Sequence, residues 1–417
     1  MMRKAILLFI SLIIAACGDQ EVFGDPDYGK TEDPARQAGE TVTTVLFKNA
    51  ESIGKVNYVT FRIPSIIRTK NKVFAFCEAR TVDADRGDID IAYRVSTDDG
   101  LTWGEKKVLF SDGIHTVGNP TCVYTSTGRL LMVFNWHSST EASASDYPTS
   151  LGVTSLQKSA HPRRVFVTWS DDEGATWTQP RDITEDVMEK NWTWNAAGPC
   201  HAIQLKHINY KDRIIIPCDL KTAGGGDREN LFSYVIYSDD NGKTWKKSAT
   251  IPYGNESCAV ERSDGKIHLD MRNSNSAYYP DGFSCRAWSL SSDGGQTWEG
   301  YNYDTGRSEP TSSSGGTKGC QGSILNYNPD GGLTKNMLFT NPASPTSRKD
   351  LTLRFSKNNG ESWPSSLLVT SNYAGYSDMT VLKDGALGIF YETGVASYHQ
   401  TIAFTRIPAK TIQEYFK

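Results

Sequence analysis

An eight-residue phrase recurs along the chain: STDDGLTW from Ser96, SDDEGATW from Ser170, SDDNGKTW from Ser238, SSDGGQTW from Ser291 and, more loosely, SKNNGESW from Ser356. A phrase that returns at long intervals constrains the fold more tightly than any composition, because it requires one supersecondary unit to be used again and again. Each copy follows a short run with β-like character (IDIAYRVS, RRVFVTWS, LFSYVIYS, CRAWSLS, LTLRFS) and leads into another extended segment, the context of a hairpin turn. Ser and Asp side chains satisfy turn amides, Gly supplies positive φ, and Trp gives the turn an apolar foot on the sheet beneath. The copies begin 74, 68, 53 and 65 residues apart, too widely for one hairpin each and about right for a four-stranded sheet with its loops. The spacing predicts an all-β chain, a β-propeller of four-stranded antiparallel blades. Five copies, with room for a blade lacking one, point to six blades, while counting alone leaves five or seven open. Helical signals are confined to TEDVMEK and the C-terminal KTIQEYFK. The phrase is explained by turn geometry; as a calcium loop it lacks EF-hand spacing and the bidentate glutamate, so no metal is expected.

The ends bound the folded unit. Arg3 and Lys4 precede an apolar run from Ala5 to Ala16 that is short for a membrane span and reads as a secretory leader, residues 1–16. It closes on Ile14-Ala15-Ala16-Cys17, which looks like the lipobox of bacterial lipoproteins, with Cys17 the lipidated residue and the bacterial cell envelope the expected location. Residues 17–41 are polar, acidic and rich in Gly and Pro, the composition of a tether. The repeat makes 42–417 a single domain, expected to be a monomer that meets the membrane through the lipid anchor alone. A formal charge of −4 with 22% charged residues gives no basic stripe for nucleic acid. The cysteines beyond Cys17, at 77, 122, 200, 218, 258, 285 and 320, stand singly without ligand-like spacing. No zinc site is expected from that spacing, and buried thiols with at most one bridge are expected. The histidines show no zinc-like pairing, and no cofactor is implied.

Beyond the turns, several short stretches carry residues suited to chemistry: FRIPS with Arg62, FCEAR with Arg80, GNESCAVE with Glu256, MRN with Arg272, TSR with Arg348, NYAGYSDM with Tyr376 and GIFYETG with Glu392. Together with the repeats, which resemble the Asp-box, these stretches make nearly the whole chain after Val42 resemble the sialidases. That resemblance implies that Arg62, Arg272 and Arg348 clamp a substrate carboxylate and that Glu392 holds Arg62. It further implies Tyr376 as nucleophile with Glu256 as its base. The physics agrees: a sialic acid bears its carboxylate on the anomeric carbon, and a planar guanidinium grips a carboxylate with two parallel hydrogen bonds. A carboxylate nucleophile would be repelled there, whereas a phenol, with an unperturbed pKa of about 10, is neutral and needs a neighbouring base. Sialidases are the recognised tyrosine exception among glycosidases.

Rivals stand beside several of these positions. Arg354 lies six residues after Arg348, and Glu261 five after Glu256 on the same strand parity only if a bulge intervenes. The general acid falls in TVDADRGDID, among Asp83, Asp85, Asp88 and Asp90; the resemblance, counted from Arg80 as a further substrate-binding residue, favours Asp85. Loop closure over the sugar is expected to raise its pKa by desolvation. Trp192 and Trp194, in a loop-like context, either wall the site or pack in the core. Asn191 and Asn255 head N-glycosylation patterns that a bacterial lipoprotein signal makes inapplicable. The expectation is an exo-sialidase releasing terminal sialic acids from glycoproteins or gangliosides with retention. The rivals are a trans-sialidase or intramolecular sialidase and, in another class, a non-catalytic carbohydrate-binding propeller.

Overall fold

The computed structural model describes residues 39–139, 163–223, 230–273, 284–311 and 319–417. The leader, Cys17 and the tether as far as residue 38 lie outside the described residues. Within them the chain is all-β apart from the short helix Thr184–Val187, a 3-10 turn at Ile208–Tyr210 and the helix Ala409–Glu414.

The strands form consecutive antiparallel meanders. The first comprises Thr60–Arg68, Val73–Arg80, Ile89–Ser96 and Lys107–Phe110. Thr116–Tyr124, Leu130–His137, Arg163–Ser170 and Arg181–Asp182 make the second. In the third, Trp192–Ala197 and Ile203–Gln204 pair with Ile214–Thr222, followed by Leu231–Ser238 and the short pieces Lys246–Lys247 and Ile251–Pro252. Gly254–Glu261, Ile267–Asn273, Cys285–Ser291 and Glu299–Ser308 follow. Next come Ser323–Asn326, Met337–Pro342, Lys349–Ser356 and the first part of the long strand Ser365–Val381. The second part of that strand opens a last run with Leu387–Gly394 and Thr401–Ile407, which the N-terminal strand Val42–Lys48 completes.

Apolar residues facing outward from each meander have only one way to leave water, which is to pack on the next meander, and the core is divided accordingly. Phe74, Phe76, Met132 and Phe134 join the first two meanders, Leu131, Val167, Ile216 and Tyr234 the second and third, and Ile215, Val235, Leu269 and Ala287 the third and fourth. Val260 packs with Ile324 and Phe339, Leu353 with Ile389, and Phe404 with Phe61 and Ala75, which brings the last run back against the first.

The repeated octapeptide lies at the turn after the third strand of each of its five meanders. In the first copy Gly100 N–H donates to Ser96 Oγ at 2.8 Å and Thr102 N–H to Asp98 Oδ1 at 2.8 Å. The second, third and fourth copies repeat both bonds. In the fifth, Asn358 replaces the aspartate and still accepts from Ser362 N–H at 3.0 Å. The acids are therefore consumed by turn amides. A sixth copy would fall between Thr401–Ile407 and Val42–Lys48, and those two strands are not consecutive in the chain. All seven described cysteines are buried and unbridged, so the bridge allowed for on sequence grounds is absent among them.

Candidate active site

Arg62, Glu256 and Tyr376 lie in the first strands of their meanders, and each of those strands is bulged where the side chain must turn toward the site. Register shifts fall between Arg62 and Ser65, Gly118 and Thr121, Gly254 and Ser257, and Ala374 and Ser377. A bulge re-aims a side chain that strict alternation would send elsewhere. This resolves the parity question: Glu256 lies in the bulge of its strand, whereas Glu261 accepts the backbone amides of Lys206 at 2.6 Å and His207 at 2.9 Å.

Glu392 is wholly buried and fully used. It accepts from Arg62 Nε at 3.0 Å and Nη2 at 3.1 Å, from Ile63 N–H at 3.0 Å and from Tyr376 N–H at 3.1 Å. Burial alone would raise its pKa, but the Arg62 guanidinium outweighs burial and holds the carboxyl below its ordinary value. Gly375 makes this approach possible, since a Cβ there would overlap Glu392 Oε2. Ile63 holds a positive φ of 60°, a strained conformation for a β-branched residue that the Glu392 contact to its amide sustains.

The Tyr376 hydroxyl donates to Glu256 Oε1 and lies 3.4 Å from Arg272 Nη1, which also donates to Glu256 Oε2 at 2.7 Å. Arg62 and Arg348 stand over the Tyr376 ring, their guanidinium carbons 5.2 and 5.5 Å from its centroid. Both also stand over Tyr398, at 5.6 and 5.1 Å. Arg62, Arg272 and Arg348 thus converge on one phenol from separate meanders. Burial, then the Glu256 charge, push the Tyr376 pKa well above 10 against the pull of the three arginines, so the resting phenol is neutral. Arg62 and Arg272 each face a carboxylate. Arg348 instead donates to the Gly319 carbonyl at 3.2 Å and, among the described residues, has no carboxylate partner. The cluster is one anion short of neutrality, which suits it to an acidic ligand. Arg348 immediately precedes the strand Lys349–Ser356; Arg354, within that strand, donates to Asn341 Oδ1 at 2.7 Å away from this cluster.

Of the four acids in the loop after Arg80, Asp85 is the one that faces the arginines. It accepts from Arg80 Nη1 at 2.8 Å and lies 3.9 Å from Arg62 Nη1, with its side chain 81% exposed. Asp90 is buried and accepts from Tyr58 at 2.5 Å, and Asp83 pairs with His399 at 3.3 Å. Partial burial acts to raise the Asp85 pKa, but Arg80 and Arg62 overcome it and hold the free carboxyl below its usual range. Arg80 is fixed from behind by Glu78 Oε2, at 2.8 Å from Nε and 2.6 Å from Nη2. Glu78 was not singled out in the sequence, although its position two residues before Arg80 puts both on one face of the strand. Tyr398 also went unremarked and had no local signal.

Trp192 and Trp194 belong to the strand Trp192–Ala197, not to a loop. Trp192 packs edge-on against Tyr234 in the core, and Trp194 lies under the Arg163 guanidinium at 3.9 Å.

Residues 71–389 match the model of the BNR repeat-like domain. The chain is 30% identical over 365 residues to a sialidase of Micromonospora viridifaciens, aligning 82% of its own length with 51% of that protein, so it spans about half the length of that relative. A sialidase of Paraclostridium sordellii is 30% identical over 335 residues, covering 76% of this chain and 73% of the relative. Among solved structures, the Hadza microbial sialidase Hz136 superposes with a TM-score of 0.68 at 24% identity, over 85% of this chain and 66% of that one. An intramolecular trans-sialidase of the leech gives 0.67 at 19% identity, over 89% and 71%; at these identities the two structures speak to the fold.

Proposed function

The chain belongs to the sialidase family, and from that premise we propose that it is an exo-α-sialidase on a six-bladed β-propeller, hydrolysing terminal sialic acids from glycoconjugates with retention. The observation that carries the reading is the Tyr376 hydroxyl donating to Glu256 within the cluster of Arg62, Arg272 and Arg348. The five turn motifs, and a last meander completed by the N-terminal strand, support six blades.

In this mechanism the substrate carboxylate enters among the three arginines and supplies the anion that Arg348 lacks. The anomeric carbon then sits over the Tyr376 oxygen. As that oxygen attacks, its proton passes to Glu256, and the glycosidic oxygen leaves with a proton from Asp85. Water, deprotonated by Asp85, next attacks the same carbon; the tyrosine departs and recovers its proton from Glu256. Two inversions give net retention. Arg272 steadies Glu256 as the base and the developing phenolate alike. The substrate acid cancels part of the positive field that depresses Asp85, and closure over the sugar desolvates it; both raise its pKa toward that of a useful donor.

On a fluorogenic sialoside the parent chain should turn over and Tyr376→Phe should lose roughly a hundredfold or more. Equal rates would remove the nucleophile. The first-formed product, followed by NMR, should be free sialic acid in the α form; a transferred sugar or an anhydro sugar would reassign the chain to a transferase or intramolecular reaction. The reading also places the protein in a bacterial envelope through Cys17, which Cys17→Ser and a membrane-fractionation assay would test.

A further inference from the structure

Where the fourth meander meets the fifth, four charged side chains are buried together. Arg286, Arg307, Asp270 and Glu309 are all 0% exposed. Arg286 donates from Nε to Asp270 Oδ1 at 2.7 Å and from Nη1 to Glu309 Oε1, while Arg307 Nη1 donates to Asp270 Oδ2. Ions taken out of water are costly, and well-packed apolar side chains of similar volume often hold a fold as well or better. What the ions add is direction, because each charge-assisted bond fixes a particular atom of the backbone or of another side chain.

Glu309 carries that direction toward the site. Its second oxygen, Oε2, accepts from the Asn273 backbone amide at 3.2 Å, at the residue next to Arg272. The same oxygen lies against Gly319: a Cβ there would stand 2.8 Å from Glu309 Oε2 and 3.1 Å from Arg272 Cγ, and Gly319 holds a φ of +78°. Only glycine meets both conditions without strain. The Gly319 amide donates to the Pro310 carbonyl at 2.8 Å, one residue past Glu309, and the Gly319 carbonyl receives Arg348 Nη2 at 3.2 Å. Arg286 Nη1, besides gripping Glu309, donates to the Cys320 carbonyl at 2.7 Å, and the Cys320 side chain packs with Ile63 and Tyr376. One carboxylate thus bears on the backbone beside Arg272, on the glycine that holds Arg348 and, through Arg286, on the residue packed against Tyr376. We propose that Glu309 is a positioning residue that sets the spacing of Arg272 and Arg348 from behind, and so the fit of the arginine cluster to a carboxylate.

This assignment rests on the sialidase reading, and the experiment separates the two. Inhibition of sialoside hydrolysis by free sialic acid and by its carboxamide gives a ratio of Ki values that reports how well the arginines grip an anion, whatever fraction of the enzyme is active. In the parent chain the ratio should strongly favour the acid. Glu309→Gln keeps the size of the side chain but sets an NH2 group against one of two donors, Arg286 or the Asn273 amide, and should lower that preference about tenfold or more. Charge alone predicts the opposite, since removing an anion near Arg272 would tighten the hold on the acid. A stronger preference in Glu309→Gln therefore overturns positioning. Gly319→Ala leaves every ion in place and displaces the carbonyl that holds Arg348; it should weaken the preference as well, and it decides the matter by itself if Glu309→Gln does not fold. A merely structural role would lower kcat through loss of active enzyme with KM and the Ki ratio unchanged, and that result also overturns the proposal. A parent chain that neither turns over a sialoside nor binds sialic acid would bring down the sialidase reading itself, and the positioning role with it.

Discussion

In the free site Asp85 is an anion, held there by Arg80 and Arg62 against the opposing effect of burial. A general acid is useful only when protonated, and it matters only when the leaving group is poor. For a sialoside with an unactivated alkyl leaving group, kcat/KM should therefore fall as pH rises from acid toward neutral, since the protonated fraction of the free enzyme shrinks. With a nitrophenol leaving group the profile should be much flatter, and Asp85→Asn should cost about 100-fold or more on the alkyl substrate and far less on the activated one. A variant equally impaired on both would move the acid elsewhere in the loop. The residues that resembled a known pattern, Arg62, Glu256, Arg272, Arg348, Tyr376 and Glu392, are also the ones brought together, because each sits in a short local motif that a linear reading can find. Tyr398 was not legible, because its place under Arg62 and Arg348 comes from the convergence of different meanders, which leaves no trace along any one strand.

At the scale of the element, the turn motif was almost wholly legible, since Ser, Asp, Gly and Trp act within eight residues of one another. What the sequence did not disclose is that each turn also anchors to a neighbour. The glycine of the second copy, Gly174, has φ +78°, and a Cβ there would meet the Phe74 ring of the first meander at 2.6 Å. Gly174→Ala thus combines a left-handed backbone with displacement of a packed ring, and should destabilise by about 2–4 kcal/mol in a denaturant melt. Gly113→Ala, at φ +64° with nothing within 4 Å of its Cβ, carries only the backbone penalty and should cost about 1–2 kcal/mol. Equal losses would mean that the turn does not bear on its neighbour. The inner-strand bulges were equally hidden, because a bulge is defined by pairing with a partner strand; Glu256 could be preferred over Glu261 only by likeness, not by parity.

Across the whole molecule, the inner strands are cross-linked by a buried polar hub. His201 Nδ1 lies 2.7 Å from Asp378 Oδ1, which also accepts from Ser323 Oγ at 3.0 Å, while Asp378 Oδ2 accepts from Ile66 N–H at 2.9 Å. Burial would lower the His201 pKa, but the Asp378 carboxylate outweighs it and raises it to about 9. A histidine whose folded pKa exceeds its unfolded value of about 6.5 stabilises fully below that value, and the contribution is lost as pH climbs through about 9. The melting temperature should therefore decline between neutral pH and pH 9, and His201→Gln should flatten that decline while lowering stability at pH 6; an unchanged slope would remove the pair from the account. The succession of meanders was legible from the repeat, but the return of the chain upon itself was not, since the pairing of Val42–Lys48 with Thr401–Ile407 joins opposite ends of the sequence. That pairing also fixes an orientation. Val42 stands opposite Arg406 and Lys48 opposite Thr401, while Thr401 in turn neighbours Thr393, next to Glu392. Val42 and the helix Ala409–Glu414 therefore lie toward the ends of their strands opposite to Glu392. A surface attachment made at Val42 or beyond Glu414 would hold the chain by the strand ends that lie farthest from Glu392, and would leave the residues around that carboxylate uncovered.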